Sequence, residues 1–473
     1  MKHGRYTVGH KYRWLSGFSG WADAKAIEEL MSDPEVVSID IDRIAYASLA
    51  QGGALVGAMN VQSLGVTGSG VTVAVLDTGI DTDHPDVSSN LISEACFCDN
   101  APGPFGCCPG GGDTQFGVGA AEDDDGHGTQ STGVIVSNSL TNMGVAPDAS
   151  IVAVKVLSSA GSGNFSDVAN GLDWVIDNRV TFGIKVVNLS LGDLVEYDDA
   201  SAFPCTGSNT ANAIAQLKEL GVSVFVASGN NGFDAGIAFP ACVPEAFSVG
   251  SVYDAPFPSV NWCGTTCSTI VCTDAPVVAN SFVCNSNSGS LLDILAPQFQ
   301  ATLPTTGGGT INVGGTSISS PYAAGQAALL LDADPSLTPD QVLSSLEIGA
   351  PMVTNPDSGL SFPRTRVDLA VAQLLAVCGN GDLEAGEDCD DNNTISGDCC
   401  SPICEFETLG SVCDDGLFCN TGETCAAGEC GGGGATDCSA SADQCNGGVC
   451  NEAAGACQPS PINEGVACND GLF

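Results

Sequence analysis

The chain has 473 residues, enough for more than one domain, with 56 acidic against 12 basic residues and a net charge of −44. A charge of that sign and size repels nucleic acid phosphates and anionic membrane surfaces, so neither is an expected partner, whereas cationic peptides and divalent cations are. No run of about 18 apolar residues occurs, which excludes a membrane-spanning helix, and the 24 cysteines point to disulfides and an oxidising, extracellular compartment.

Residues 1–50 carry six of the twelve basic residues, alongside seven acidic ones. The stretch WADAKAIEELMSDPEVVSIDID (21–42) predicts a helix stopped near Asp33-Pro34, then a strand with alternating apolar residues. This reads as a small α+β unit. MKHGRYTVGHKYRWLSGFSG has basic residues but no apolar core of a leader, so a secretory signal is expected upstream of this start.

From residue 71 the pattern changes. VTVAVLD (71–77), SIVAVKVL (150–157), KVVNLSLG (185–192) and VSVFVASGN (222–230) are continuous Val/Ile-rich runs, as in strands buried on both faces. Between them, 165–180 and 209–220 have helical spacing, and two further helices are expected to start near Ser319 and Pro339. Strand–helix alternation of this kind predicts a doubly wound α/β fold, a mostly parallel sheet with helices on both faces. We place this domain at 51–376.

At about 377 the composition shifts again. Fourteen cysteines lie between Cys378 and Cys468, where no Lys, Arg or His occurs and helical periodicity is lost. CDDGLFCN (413–420) recurs in part as CNDGLF (468–473), which reads as a repeat cut in mid-unit. Such a segment needs disulfides to fold. Zinc is not expected, because no clean C-x2-C pair occurs.

In an open parallel sheet, ligands bind beyond the carboxyl ends of the strands, so polar residues there are the functional candidates. Asp77 ends the first strong strand, and Gly79 lets the chain turn away. The four histidines are His3, His10, His84 and His127. His84, in DTDHPDV, reads as an exposed turn residue. His127 lies between two glycines at a helix start. Ser317 lies in GGTSISSPYAAG, just where an apolar helix begins. A hydroxyl there suits nucleophilic chemistry once a base takes its proton, and a buried carboxylate can orient that base. The neighbouring Ser and Thr residues are expected to cap the helix, and Pro321 to sit in its first turn.

AVLDTGID, HGTQSTG and GTSISSP resemble the Asp, His and Ser motifs of the subtilisin-like serine proteases, in the same order along the chain. The resemblance covers roughly residues 60–375. It implies that Asp77 is the orienting acid, His127 the general base and Ser317 the nucleophile of a secreted endopeptidase. Ser319 and Ser320 match non-catalytic positions. ASGNNG resembles the family's oxyanion segment, which makes Asn230 the donor and Asn231 a turn residue. NLSLG (188–192) resembles the strand that receives the substrate backbone, so Ser190, Leu191 and Gly192 border the specificity pocket. Asp193 stands where the family often has glycine. It favours a basic side chain at the cleavage site or else faces solvent.

The resemblance also implies structural calcium, with Asp86 as a ligand, although SNSLTNMGVAP is shorter than the family's calcium loop. The insertion ACFCDNAPGPFGCCPGGGDTQFG (95–117), with Cys96, Cys98, Cys107 and Cys108, reads as a disulfide-stapled loop near the active site. Residues 1–50 resemble the end of an inhibitory pro-segment, with self-cleavage close to 46–52. Residues 377–473 resemble the Cys-rich repeats appended to secreted bacterial proteins. The expected partners are peptide or protein substrates and the chain's own pro-segment, acting on a monomer. Two other readings share these motifs: an inert surface adhesion protein and a transpeptidase.

Overall fold

In the computed structural model the described residues are 6–11, 18–22, 24–34, 36, 52–99, 106–139, 141–263, 270–298, 301–375, 387–390, 396–401, 404–413, 417–426, 428–442 and 446–461. The chain divides into two compact units, Met1–Ala47 and Ser48–Phe473. In the first, strands Tyr6–Lys11 and Phe18–Ala22 pair antiparallel and a helix spans Ala24–Met31. That helix stops before Asp33-Pro34, as expected, because the residue before proline is disfavoured in helical conformation. The strand expected after it and residues 46–51 of the expected cleavage region lie outside the described residues.

The second unit is organised by one eight-stranded sheet. Its strands are β1 (Thr72–Asp77), β2 (Leu91–Phe97), β3 (Thr114–Phe116), β4 (Ser150–Lys155), β5 (Ile184–Leu189), β6 (Ser223–Ala227), β7 (Phe247–Val252) and, after a hairpin of β8 (Val260–Cys263) and β9 (Ile270–Asp274), β10 (Ile294–Pro297). The spatial order is β10-β7-β6-β5-β1-β4-β2-β3. All neighbours run parallel except the edge pair β2–β3. This is the doubly wound α/β architecture.

The continuous apolar strands make sense in this sheet. Side chains alternate across a strand, so Val73 and Val75 of β1 join one apolar cluster while Ala74 and Leu76 join the other. Helices α1 (His127–Val136) and α4 (Thr316–Ala333) cover the first face; α2 (Phe165–Phe182) and α3 (Asn209–Glu219) cover the second. Helix α4 runs through the core with buried residues on all sides, so it shows no amphipathic stripe. A further helix, Pro339–Glu347, opens with a capping box from Thr338 and Gln341.

The stapled insertion is present, with bonds Cys96–Cys108 and Cys98–Cys107, and Cys205–Cys242 and Cys272–Cys284 tie other loops. In the tail, short antiparallel pairs are held by Cys389–Cys400, Cys399–Cys425, Cys413–Cys430, Cys419–Cys450 and Cys438–Cys457. Among the described residues no helix is long and apolar enough to cross a membrane.

Candidate active site

Segments that follow β4, β5 and β6, the β8–β9 hairpin and the starts of α1 and α4 line one cleft, which joins residues far apart in sequence. His127, Ser190, Leu191, Gly192, Asn230 and Ser317 all border it. Asp77 lies just beneath, fully buried at the end of β1.

Asp77 is held through both carboxylate oxygens. Its Oδ1 accepts from the Thr78 backbone N–H at 2.7 Å and meets His127 Nδ1 at 2.7 Å, and its Oδ2 accepts from the Ser131 hydroxyl at 3.2 Å. A carboxylate only accepts here, so Nδ1 carries the proton and Nε2 is left for chemistry in the cleft. The His127 side chain is 30% exposed, against 0% for Asp77. Burial opposes the imidazolium, but the Asp77 contact, reinforced by Asp125 and Asp123, outweighs it and raises His127 to about 9.

Glycine permits this contact. A Cβ on Gly128 would lie 2.0 Å from the Gly79 carbonyl oxygen, and one on Gly79 would lie 2.3 Å from that of Ala121. A side chain on Gly128 would keep the first turn of α1 off the end of β1, and one on Gly79 would push away the segment carrying Asp123.

Several residues of this framework escaped the sequence reading. Asp123, 7% exposed, takes five donors: Thr78 Oγ1, the N–H groups of Asp125, Gly126 and Thr129, and Thr129 Oγ1. Burial alone would favour its neutral form; these hydrogen bonds prevail and hold its carboxyl below the usual range. It thereby caps the first turn of α1 from outside the helix. Lys155, 0% exposed at the end of β4, donates to the Thr78 carbonyl at 2.5 Å and to Asp124 at 2.6 Å, fixing the backbone beside Asp77. The only sequence signal was the run EDDDGHG, which in an acidic chain reads as solvated surface.

On the other side, α4 begins at Thr316, three residues earlier than predicted. Its own Ser and Thr residues do not cap it. Gly315 precedes it without a side-chain cap, and the Thr316 N–H donates to Asn230 Oδ1 at 2.8 Å. That bond turns the amide round, leaving Asn230 Nδ2 as the donor for a ligand. Pro321 lies inside α4, not in its first turn. Lacking an N–H, it cannot bond the carbonyl four residues back. That carbonyl, of Ser317, accepts instead from Ser190 Oγ at 2.7 Å and so joins α4 to the end of β5. Ser319 and Ser320 are buried, bonding Ala296, Pro297 and Asn188. Among the described residues no hydrogen bond links Ser317 Oγ to His127; such bonds often tighten only around a substrate.

Two expectations change. His84 is not an exposed turn residue: it is 2% exposed, with Nδ1 accepting from the Asp86 N–H and Nε2 against the Gly309 carbonyl. Asp193 borders the cleft, but its carboxylate takes the Tyr197 hydroxyl and the N–H groups of Val195 and Phe239, so it organises its own loop. The stapled insertion lies near the active site, as expected, although none of its described residues lines the cleft. It props the rim, with Asn164 donating to the Asp99 carbonyl and the Asp99 N–H donating to Asp167.

Comparison with known proteins agrees with this geometry. The model of the Subtilase family matches residues 68–381. Subtilisin E of Bacillus subtilis (strain 168) is 32% identical over 359 residues, covering 74% of this chain and 79% of its own. An alkaline protease of Shouchella clausii is 33% identical over 346 residues, covering 72% and 75%. Subtilisin of Bacillus pumilus is 33% identical over 295 residues, covering 61% and 86%. The chain therefore belongs to the subtilase family and is a serine endopeptidase.

Proposed function

We propose that Ser317 is the nucleophile, His127 the general base, Asp77 the orienting acid and Asn230 an oxyanion donor. The observation that carries this reading is the 2.7 Å contact from Asp77 to His127 on the wall of a cleft that Ser317 and Asn230 also border. Ser317 Oγ attacks the peptide carbonyl carbon as its proton passes to His127 Nε2. The oxyanion is met by Asn230 Nδ2 and by the Ser317 N–H, which belongs to the first turn of α4 and has no partner within the helix. The C–N bond then breaks, His127 returns the proton to the leaving amine, and water releases the acyl group by the same route. The substrate backbone extends along Ser190, Leu191 and Gly192.

The protein acts as a secreted monomer with a peptidase domain at 51–376. Residues 1–50 are a pro-segment removed by self-cleavage near 46–52, and 377–473 are an appended repeat region. N-terminal sequencing after incubation tests this, with Ser317→Ala as control. New termini near 46–52 in the active chain and none in the variant are expected; equal cleavage of both would refute self-processing.

Calcium at Asp86 fits the oxygen donors around it. Among the described residues no hydrogen bond reaches the Asp86 carboxylate or Asn138 Oδ1: Asp86 is tied by its backbone to His84 and Asn138, and the Asn138 amide donates through Nδ2 to Ser89 and Asn90. The carbonyls of Gly144 and Val145 accept from Gln62 and each keeps a second lone pair. Asp86 and Asn138 would hold the ion, which would stabilise the loop; no catalytic step depends on it. A chelator should therefore lower the melting temperature by about 2 °C or more, since loss of a saturated ligand lowers stability by mass action. An unchanged melting temperature would remove the ion.

A further inference from the structure

The mechanism above occupies only half of the cleft. A bound peptide has two chain directions from its reacting carbonyl. In the proposed function, the acyl side follows Ser190–Gly192 after β5, toward the Gly161–Gly163 loop after β4. The sheet order continues the other way, from β6, which presents Asn230, to β7, which leads into the β8–β9 hairpin. A chain with its oxygen at Asn230 and its acyl half beside β5 must send its leaving half past that hairpin.

Trp262 is the hairpin's largest cleft-lining side chain. The indole packs beside Gly314, three residues before Ser317; a Cβ there would come within 3.1 Å of Trp262 Cη2. Val260 and Val271 border the same end of the cleft, and the polar neighbours Asn231, Asn261 and Asn285 carry no charge.

The indole is also fixed in place. Its Nε1–H donates to Tyr253 Oη at 2.7 Å, and Tyr253 in turn donates to Asp274 Oδ2 at 2.7 Å. Asp274 accepts from the Cys284 N–H at 3.0 Å as well, and Cys284 is bonded to Cys272, the residue opposite Trp262 in the hairpin register. Tyr253 is fully buried, and its ring lies 6.5 Å from the indole, tilted by 38°. A rigid aromatic surface loses little freedom when a ligand packs on it, which makes it suited to selection.

We propose that Trp262 is the apolar wall of the leaving-group half of the cleft and selects an aromatic or branched aliphatic side chain on the residue just after the scissile bond. The proposal rests on the serine endopeptidase mechanism above. Tyr253 is its positioning residue.

The test uses the full chain and quenched peptides that differ only at that residue, with Phe, Leu, Gly or Asp. An ester with the same acyl half and no residue after the reacting bond is run alongside. The native protein should favour Phe and Leu over Gly by roughly 10–100-fold in kcat/KM, the range that burial of one such side chain supports. Trp262→Ala should cut that ratio about tenfold or more, Trp262→Phe should keep most of it, and Tyr253→Phe should fall between. The ester should lose less than the Phe peptide. An unaltered Phe/Gly ratio in Trp262→Ala would overturn the proposal, and so would an equal loss on ester and peptide, because Trp262 would then only support the site. Failure of the native protein to cleave any substrate would instead count against the catalytic reading.

Discussion

Residues of the peptidase body are ordered by two apolar clusters, one on each face of the sheet, built from strands and helices up to 313 residues apart in the chain (Ala58 and Val371). The described part of the tail has no such cluster; what it buries is chiefly cysteine, grouped as Cys389, Cys400 and Cys404 and as Cys399, Cys413 and Cys425. The body can therefore afford a cleft full of polar groups, since the sheet beneath holds them rigid. The tail has little apolar surface to spend and depends on covalent links that limit its unfolded state. Chemistry lies in the region that can keep several side chains in fixed relation.

Mutation can break that contrast. Leu330→Ala, at a fully buried position of α4, should cost about 2–5 kcal/mol and lower the melting of the whole body, because the cavity lies in the helix that carries Ser317. Scanning calorimetry with an activity assay would detect it, and a variant that melts like the parent would show that the core is not the source of order. Asn230→Ala should leave melting within about 1 kcal/mol while lowering kcat by about 10²–10³, the size known for subtilisin itself on losing its side-chain donor. Replacing Cys413 and Cys430 together by serine removes a bond across 17 residues and should cost the tail about 3 kcal/mol. Peptidase activity should not change, and limited proteolysis should find the new cut sites confined to the tail. Loss of activity in that variant would join the two regions into one stability unit.

The smallest effect sharpens the contrast from within the site. His127 is raised from 6.5 to about 9. Acting as the proposed base it must be neutral, so kcat/KM should climb with pH and level off near 9. Its stabilising contribution runs the other way: it is fully present below about 6.5 and is lost as pH rises through about 9, since the folded state holds the proton more tightly than the unfolded. Melting curves of the parent and of Asp77→Asn between pH 6 and 10 should converge as pH rises. Parallel curves would mean that the Asp77–His127 pair does not set this dependence.

The strand at 72–77, the helices at 165–182 and 209–219 and the central helix were legible because burial on both faces leaves long apolar runs and covering helices leave periodic ones. Asp77, His127 and Ser317 were legible as short motifs at strand and helix ends. Asp123, Lys155 and Thr78 were not, because their importance lies in hydrogen bonds between segments and a residue's letters do not carry its partners. His84 misled for the same reason: DTDHPDV has the composition of a turn, but its histidine packs against the carbonyl of Gly309.

By itself, then, the sequence determined the α/β class, the subtilase family and the abundance of disulfides, and it pointed to the proposed reacting groups, since each of these follows from local periodicity, composition or a contiguous motif. Tertiary structure alone decided which amide caps α4, which serine takes up the carbonyl freed by Pro321, and which end of the cleft Trp262 walls. Those are choices among distant partners, and they are settled only when parallel strands bring their carboxyl ends to one edge.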